Sequence, residues 1–205
     1  GSYGKTTMKE LLATVLAQGK RVSATPGNMN VSVSHARFAR TLKGDEEVVI
    51  VEFGEGAPGD VSRMAKMLKP DYAIITGLAP NHLDHYESLD AVAKDLLSVY
   101  ESVDAQHVLA TAESPLLNNY LQKDAVTFSR QQVLGWRISN VSIAVDTLSF
   151  TLSKGSRKLH LKSGLIGEHQ VAPLALVSAL ACELGLNDDE VVKGVGLTKP
   201  YEHRM

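Results

Sequence analysis

Cysteine is almost absent: Cys182 stands alone in 205 residues. A lone cysteine forms no internal disulfide, which excludes the disulfide-stapled secreted class and fits a reducing cytoplasm. It lies in an apolar run, Leu180-Ala181-Cys182, and is expected in the core. Long apolar stretches are also missing. None approaches a membrane span and no secretory leader opens the chain, so membrane insertion is not expected. Charge of one sign is lacking too. Lys and Arg number 21 against 23 Asp and Glu, a net charge of −2, which gives no reason to expect nucleic acid as a partner. There is no low-complexity tract and no internal repeat. What remains is an ordinary globular composition, 44% hydrophobic, long enough for one large domain or two small ones.

The most informative stretch is Gly1-Ser2-Tyr3-Gly4-Lys5-Thr6-Thr7. It matches the G-x-x-G-K-T core of a phosphate-binding loop that opens a helix. Glycines let the backbone turn tightly and aim N–H groups inward, and the helix N-terminus adds partial positive charge. Lys5 supplies a point charge for phosphate, and the Thr6 hydroxyl suits Mg²⁺. The competing reading is a plain Gly/Ser turn capping a helix. A phosphate loop follows a strand, and none precedes Gly1, so flanking segments are expected to belong to this chain.

Downstream, helical spacing of apolar residues predicts helices over 8–18, 34–42, 89–102, 173–184 and 191–195, with another over 115–120. A further helix over 60–68 is expected to take Asp60 as its N-cap. Strands are expected over 22–25, 48–54, 72–76, 107–110 and 126–128. The run Val48-Val49-Ile50-Val51 reads as a strand buried on both faces. The alternation predicts an α/β fold: a mainly parallel sheet with helices on both faces. From Trp136 the period changes to two, which predicts a smaller antiparallel section near 136–165.

Four strand-end loops carry polar groups suited to one task. They hold Lys5 and Thr6; Thr25 and Asn28; Glu52; and Asn81, His82, Asp84 and His85. In a parallel sheet all four open on the C-terminal edge, where ligands bind. Thr6 and Glu52 together could share one Mg²⁺ with ATP phosphates. The bland readings are a strand-end carboxylate at Glu52 and a helix entry at Asp84. Zinc is the weakest choice, because no further Cys or His pair has zinc spacing. His35, His107 and His160 carry no motif and read as structural or surface residues.

Six segments in register resemble the central ATP-binding domain of the Mur ligase family, nearest its MurF-type members. They are Gly1 to Thr7; Thr25-Pro26-Gly27-Asn28-Met29-Asn30; Glu52-Phe53-Gly54; Lys69-Pro70-Asp71 with His82-Leu83-Asp84; Gly167-Glu168-His169; and Pro200 to Met205. The resemblance implies a nucleotide site built from Gly1, Ser2, Tyr3, Gly4, Lys5, Thr6, Thr7, Asn28, His169 and Arg204. By the same resemblance Lys5 contacts the ATP phosphates, Thr6 and Glu52 hold a first Mg²⁺, and His82 holds a second. Asn28 would lie near the γ-phosphate, His169 near the nucleoside, and Arg204 would reach the nucleotide from a hinge. Lys5, Glu52 and His82 are the implied catalytic residues. The implied reaction is ATP-dependent ligation of a UDP-MurNAc-tripeptide carboxylate to D-alanyl-D-alanine through an acyl phosphate. Positioning and charge neutralisation suffice for that step, so no nucleophile triad is required.

The pattern is broken in three places. Leu96 stands where many members carry a carbamylated lysine, so Lys94 substitutes, or a second cation is held otherwise or weakly. Pro173 replaces the second asparagine of an adenine-contacting segment, and His203 replaces a glycine. Three other readings stand beside the ligase: a folylpolyglutamate or cyanophycin synthetase type, a P-loop switch, and a scaffold. The switch lacks an N-K-x-D segment, and intact Lys5, Thr6 and Glu52 argue against the scaffold. Family members carry an N-terminal UDP-sugar domain and a C-terminal acceptor domain, neither of which falls within these residues. The chain by itself is therefore expected to make no ligated product. Amide product from the isolated chain, followed by chromatography, would refute this.

Overall fold

The computed structural model describes residues 1–80 and 84–200. The helices are α1 (Lys5–Leu16), α2 (Ser32–Ala39), α3 (Asp60–Leu68), α4 (Leu89–Leu97), α5 (Pro115–Asn118), α6 (Val171–Glu183) and α7 (Asp188–Gly196). The strands are β1 (Val22–Ala24), β2 (Val48–Ile50), β3 (Ala73–Ile75), β4 (Val108–Thr111), β5 (Val126–Phe128), β6 (Gln132–Val133), β7 (Trp136–Ile143), β8 (Leu148–Lys154) and β9 (Arg157–Ser163). They form two compact units. One comprises residues 1–6, 25–40 and 51–128; the other comprises 7–24, 41–50 and 129 onward.

In the first unit β3, β4 and β5 run parallel, with β4 in the middle. Ala73 lies opposite Val108, and Leu109 opposite Val126. α4 starts at Ser88, whose side chain accepts a hydrogen bond from the Ala91 N–H, and it turns Val92, Ala93 and Leu96 into the core. The expected helix to residue 102 is α-helical only to Leu97 and continues as a 3₁₀ turn, Ser98–Glu101. Val61, Ala65, Ile75, Leu78, Val108 and Leu117 complete that core.

α3 corrects one expectation. Its N-cap is Gly59, with φ of +83°, and Asp60 is the first helical residue. The turn needs a left-handed residue, which glycine adopts without strain, and this pushes Asp60 inside the helix. Asp60 accepts instead from the Ala57 N–H at 2.9 Å. The capping role falls to the distant Asp95, on α4. Its Oδ1 accepts from the Gly59 N–H at 3.0 Å and its Oδ2 from the Tyr86 hydroxyl at 2.7 Å. Both side chains are buried.

In the second unit β1 and β2 pair in parallel, Val22 opposite Val48 and Ala24 opposite Ile50. The expected strand 48–54 is shorter than predicted, and it is not buried on both faces: Val49 is 43% exposed. β1 is its one ladder partner among the described residues. The antiparallel section is not the smaller part. β7 has eight residues and β8 and β9 seven each, against three or four in the parallel strands. A two-residue turn pairs Lys154 with Arg157 and closes β8 onto β9, with Gly155 at φ +60°. β9 alternates as period two demands: Leu159, Leu161 and Ser163 inward, Lys158, His160 and Lys162 outward.

α6 is apolar all round because it is surrounded; every residue from Val171 to Ala181 other than Pro173 is buried. Pro173 is tolerated because it lies in the first turn, where N–H groups have no helical partner. Cys182 ends this run half-buried rather than in the core. α7 opens with the capping box of Asn187 and Glu190. Gly194 admits close packing on α1, since a Cβ there would stand 2.8 Å from Val15 Cα. No helix among the described residues is long and apolar enough to cross a membrane.

Asp95→Ala should destabilise the fold by about 2–3 kcal/mol in urea unfolding, since it leaves buried donors unpaired. Burial raises the Asp95 carboxyl pKa above its ordinary 3.8. The folded state therefore binds the proton more tightly than the unfolded state. That contribution is fully present below the unfolded pKa and is lost as pH rises through the folded one. Asp95→Asn should remove this decline from the stability–pH curve.

Candidate functional site

The glycine loop is built against the end of β3. Gly4 has φ of +73°, which favours glycine. The Ser2 N–H donates to the Gly77 carbonyl at 2.9 Å, and the Thr76 hydroxyl donates to the Tyr3 carbonyl. Two glycines permit this approach. A Cβ on Gly1 would stand 2.9 Å from the Thr76 nitrogen, and one on Gly77 would overlap the Tyr3 ring. The chain then enters α1 with Lys5 half-buried and Thr6 buried. Lys5 Nζ donates to the Gly1 carbonyl at 2.6 Å and to both Glu55 oxygens, at 3.0 and 3.2 Å. Glu55 is only 2% exposed.

Glu52 lies two residues beyond β2 and is held along its length. Its N–H donates to Thr25 Oγ1 at 3.2 Å, and its side-chain Oε1 accepts from Asn30 Nδ2 at 3.3 Å. Its carbonyl lies 2.9 Å from His35 Nε2. A carbonyl only accepts, so the His35 proton sits on Nε2. Burial lowers the pKa of His35 and favours the neutral ring. The same ring lies 5.7 Å from that of Phe53. The next turn packs on Asn30: the Gly54 N–H donates to the Asn30 carbonyl at 2.7 Å, and a Cβ at Gly54 would stand 2.9 Å from Asn30 Oδ1.

Of the expected site residues, Gly1, Ser2, Tyr3, Gly4, Lys5, Thr6 and Glu52 fall in this one unit with Thr25 and Asn30. Tyr3 and Asn28 are exposed, and Thr7 is half-buried on α1. Asp84 and His85 are exposed and lie 3.3 Å apart as a pair. His169 is in the other unit, exposed on the 3₁₀ turn Glu168–Gln170, 3.0 Å from the Gln170 side chain. His82 and Arg204 lie outside the described residues. Leu96 is a core residue while Lys94 is exposed. Among the described residues no group of three or more His, Cys, Asp or Glu is poised to hold a metal.

Sequence reasoning gave no role to Glu55 or Thr76; Asn30 stood in the Thr25–Asn30 segment without a role of its own, and His35, read as structural or surface, is a buried structural residue. Glu55 left a faint signal, a carboxylate inside a glycine-rich loop three residues after Glu52. His35 and Thr76 left none, because their roles depend on which backbone atoms fold against them.

The family described as the Mur ligase middle domain matches residues 1–181. The chain belongs to this family. It is 30% identical over 207 residues to the UDP-N-acetylmuramoyl-tripeptide–D-alanyl-D-alanine ligase of Treponema pallidum, covering 98% of this chain and 43% of that one. Among solved structures, MurF of Acinetobacter baumannii superposes with a TM-score of 0.82 at 20% identity, over 98% of this chain and 45% of that one. MurF ligase of Thermotoga maritima, solved in complex with ADP, gives 0.80 at 21% identity, over 98% and 47%. At these identities the structures speak for the fold. The chain spans less than half the length of each of these relatives.

Gly54→Ala tests the packing beneath Glu52. Its Cβ would meet Asn30 too closely, so the melting midpoint should fall by an amount worth about 1–3 kcal/mol. An unchanged midpoint would show that the loop yields.

Proposed function

We propose that this chain is the ATP-binding middle domain of a MurF-type ligase that joins D-alanyl-D-alanine to UDP-MurNAc-tripeptide in the cytoplasm. In the whole protein it would lie between a UDP-sugar domain and an acceptor domain. The observation that carries this is the union, in one unit, of the glycine-built loop, Lys5, Thr6 and the firmly held Glu52. Relatives bearing that enzyme name along the whole chain add support.

The residues present fit Mg-ATP. Thr6 offers a hydroxyl and Glu52 a carboxylate, oxygen donors of the kind Mg²⁺ takes. α1 begins at Lys5, and the N-terminus of a helix suits phosphate. In this reading Thr6 and Glu52 hold the cation, Lys5 neutralises phosphate oxygens, and Asn28, His169 and Arg204 complete the nucleotide contacts. His82 is assigned to a second cation. Bound Mg²⁺ supplies charge neutralisation for phosphoryl transfer. The tripeptide carboxylate takes the γ-phosphoryl group from ATP, releasing ADP. The dipeptide amine then attacks the acyl carbon, loses a proton, and phosphate leaves. Thr25, Asn30 and His35 keep Glu52 in one orientation throughout, so no reorganisation is needed as charge moves.

Phosphate release by the full-length protein carrying this chain, with Mg-ATP and UDP-MurNAc-tripeptide, should require D-alanyl-D-alanine. Lys5→Ala should lower it at least about 100-fold. Release that needs a different nucleotide-peptide or acceptor would retain the ligase and change its substrate. No release in any combination, with ATP still bound, would overturn the ligase reading.

A further inference from the structure

Glu55 belongs to no motif and has no role in the reading above, yet it is among the most enclosed charges in the first unit. Its side chain is 1% exposed and both of its oxygens face Lys5 Nζ. An ammonium has three N–H donors. Here the acceptors are Glu55 Oε1, Glu55 Oε2 and the Gly1 carbonyl, so Lys5 is fully engaged without any phosphate. A triphosphate that draws on Lys5 must therefore share it with Glu55 or take it away.

Either way the buried Glu55 carboxylate loses part of the charge that Lys5 supplies, and water cannot replace it at 1% exposure. Removing one partner of a buried ion pair is costly because the remaining charge is uncompensated. A metal-free nucleotide brings only more negative charge to the same place, with Glu52, itself buried, in the same unit. A nucleotide carrying a divalent cation brings the compensating charge with it.

Resting on the nucleotide-site reading, we propose that Glu55 is a specificity-determining residue that makes this site select metal-bound nucleotide over free nucleotide. It holds Lys5 in the loop and keeps a negative charge beside the phosphate position. Nucleotide binds tightly when a cation offsets that charge and weakly when none does. Glu55 is a positioning residue in this role, acting through Lys5.

The test is calorimetric binding of ADP to the full-length protein, with Mg²⁺ and then with EDTA. Wild type should bind Mg-ADP about 100-fold more tightly than metal-free ADP, and Glu55→Gln should narrow that ratio about tenfold by tightening the metal-free complex. Glu55→Asp keeps the charge and should keep the wild-type ratio. Glu55→Ala should follow Glu55→Gln, which guards against one variant failing to fold. If Glu55 merely propped Lys5, both affinities would fall together and the ratio would stand, and that result overturns the proposal. Wild type that binds ADP, with variants whose ratio is unchanged, sinks this inference alone. Wild type that binds ADP under neither condition sinks the nucleotide site and this inference with it.

Discussion

The constraint on which the site depends is the burial of charge. Glu52 is 6% exposed and Glu55 is 2% exposed, and neither can be left to water. A buried carboxylate must be paired or hydrogen-bonded, or it abandons its charge. Glu55 answers this with Lys5 at 3.0 Å. Glu52 is reached by Asn30 through its side chain and by Thr25 and His35 through its backbone. These partners come from segments far apart in sequence, so meeting the constraint folds the loops onto one another. The glycines follow from it: Gly1, Gly54 and Gly77 stand where any Cβ would collide with the neighbouring segment.

This explains which site residues could be read in advance. The placement of Lys5, Thr6 and Glu52 was legible because local pattern alone marks a loop–helix junction and a strand end, and α1 and β2 stand there. Glu55 is paired with a residue fifty positions earlier, and only the fold brings the two together. His35 has no local motif; its meaning is a single contact to a backbone carbonyl. Asp60 shows the opposite error. Asp before a helical run is a sound cap signal, but Gly59 at φ +83° takes the cap position, and Asp95 supplies the side chain that serves it. Local chemistry was read correctly there and assigned to the wrong residue.

At the level of the fold, period was the reliable signal and burial the unreliable one. β9 alternates inward and outward as its sequence does, and α6 is enclosed as its largely apolar composition demands. The Val48–Ile50 run failed on burial: β-branched residues favour a strand without saying how many neighbours it has. A run of this kind fits both a central strand and a strand in a two-member ladder. The antiparallel section was underestimated because short alternating stretches joined by tight turns look minor in sequence, although the ladder they build is longer than the parallel ones.

Position 96 is a packing position on α4. The resemblance leads one to expect a lysine there, and Lys94 was one substitute. On a helix, residues two apart point in nearly opposite directions and do not face a common neighbour. α4 bears this out, with Leu96 3% exposed among Val92 and Ala93 while Lys94 is exposed. Lys94 therefore cannot occupy the space of residue 96 without rotating the helix and withdrawing its apolar face from the core. Burying a leucine of this kind is worth about 1.5–3 kcal/mol, so that rotation is opposed by several side chains at once. The chain uses position 96 for packing. In the reading proposed above, Thr6 and Glu52 would hold a first cation and His82 a second, and none of these assignments draws on position 96.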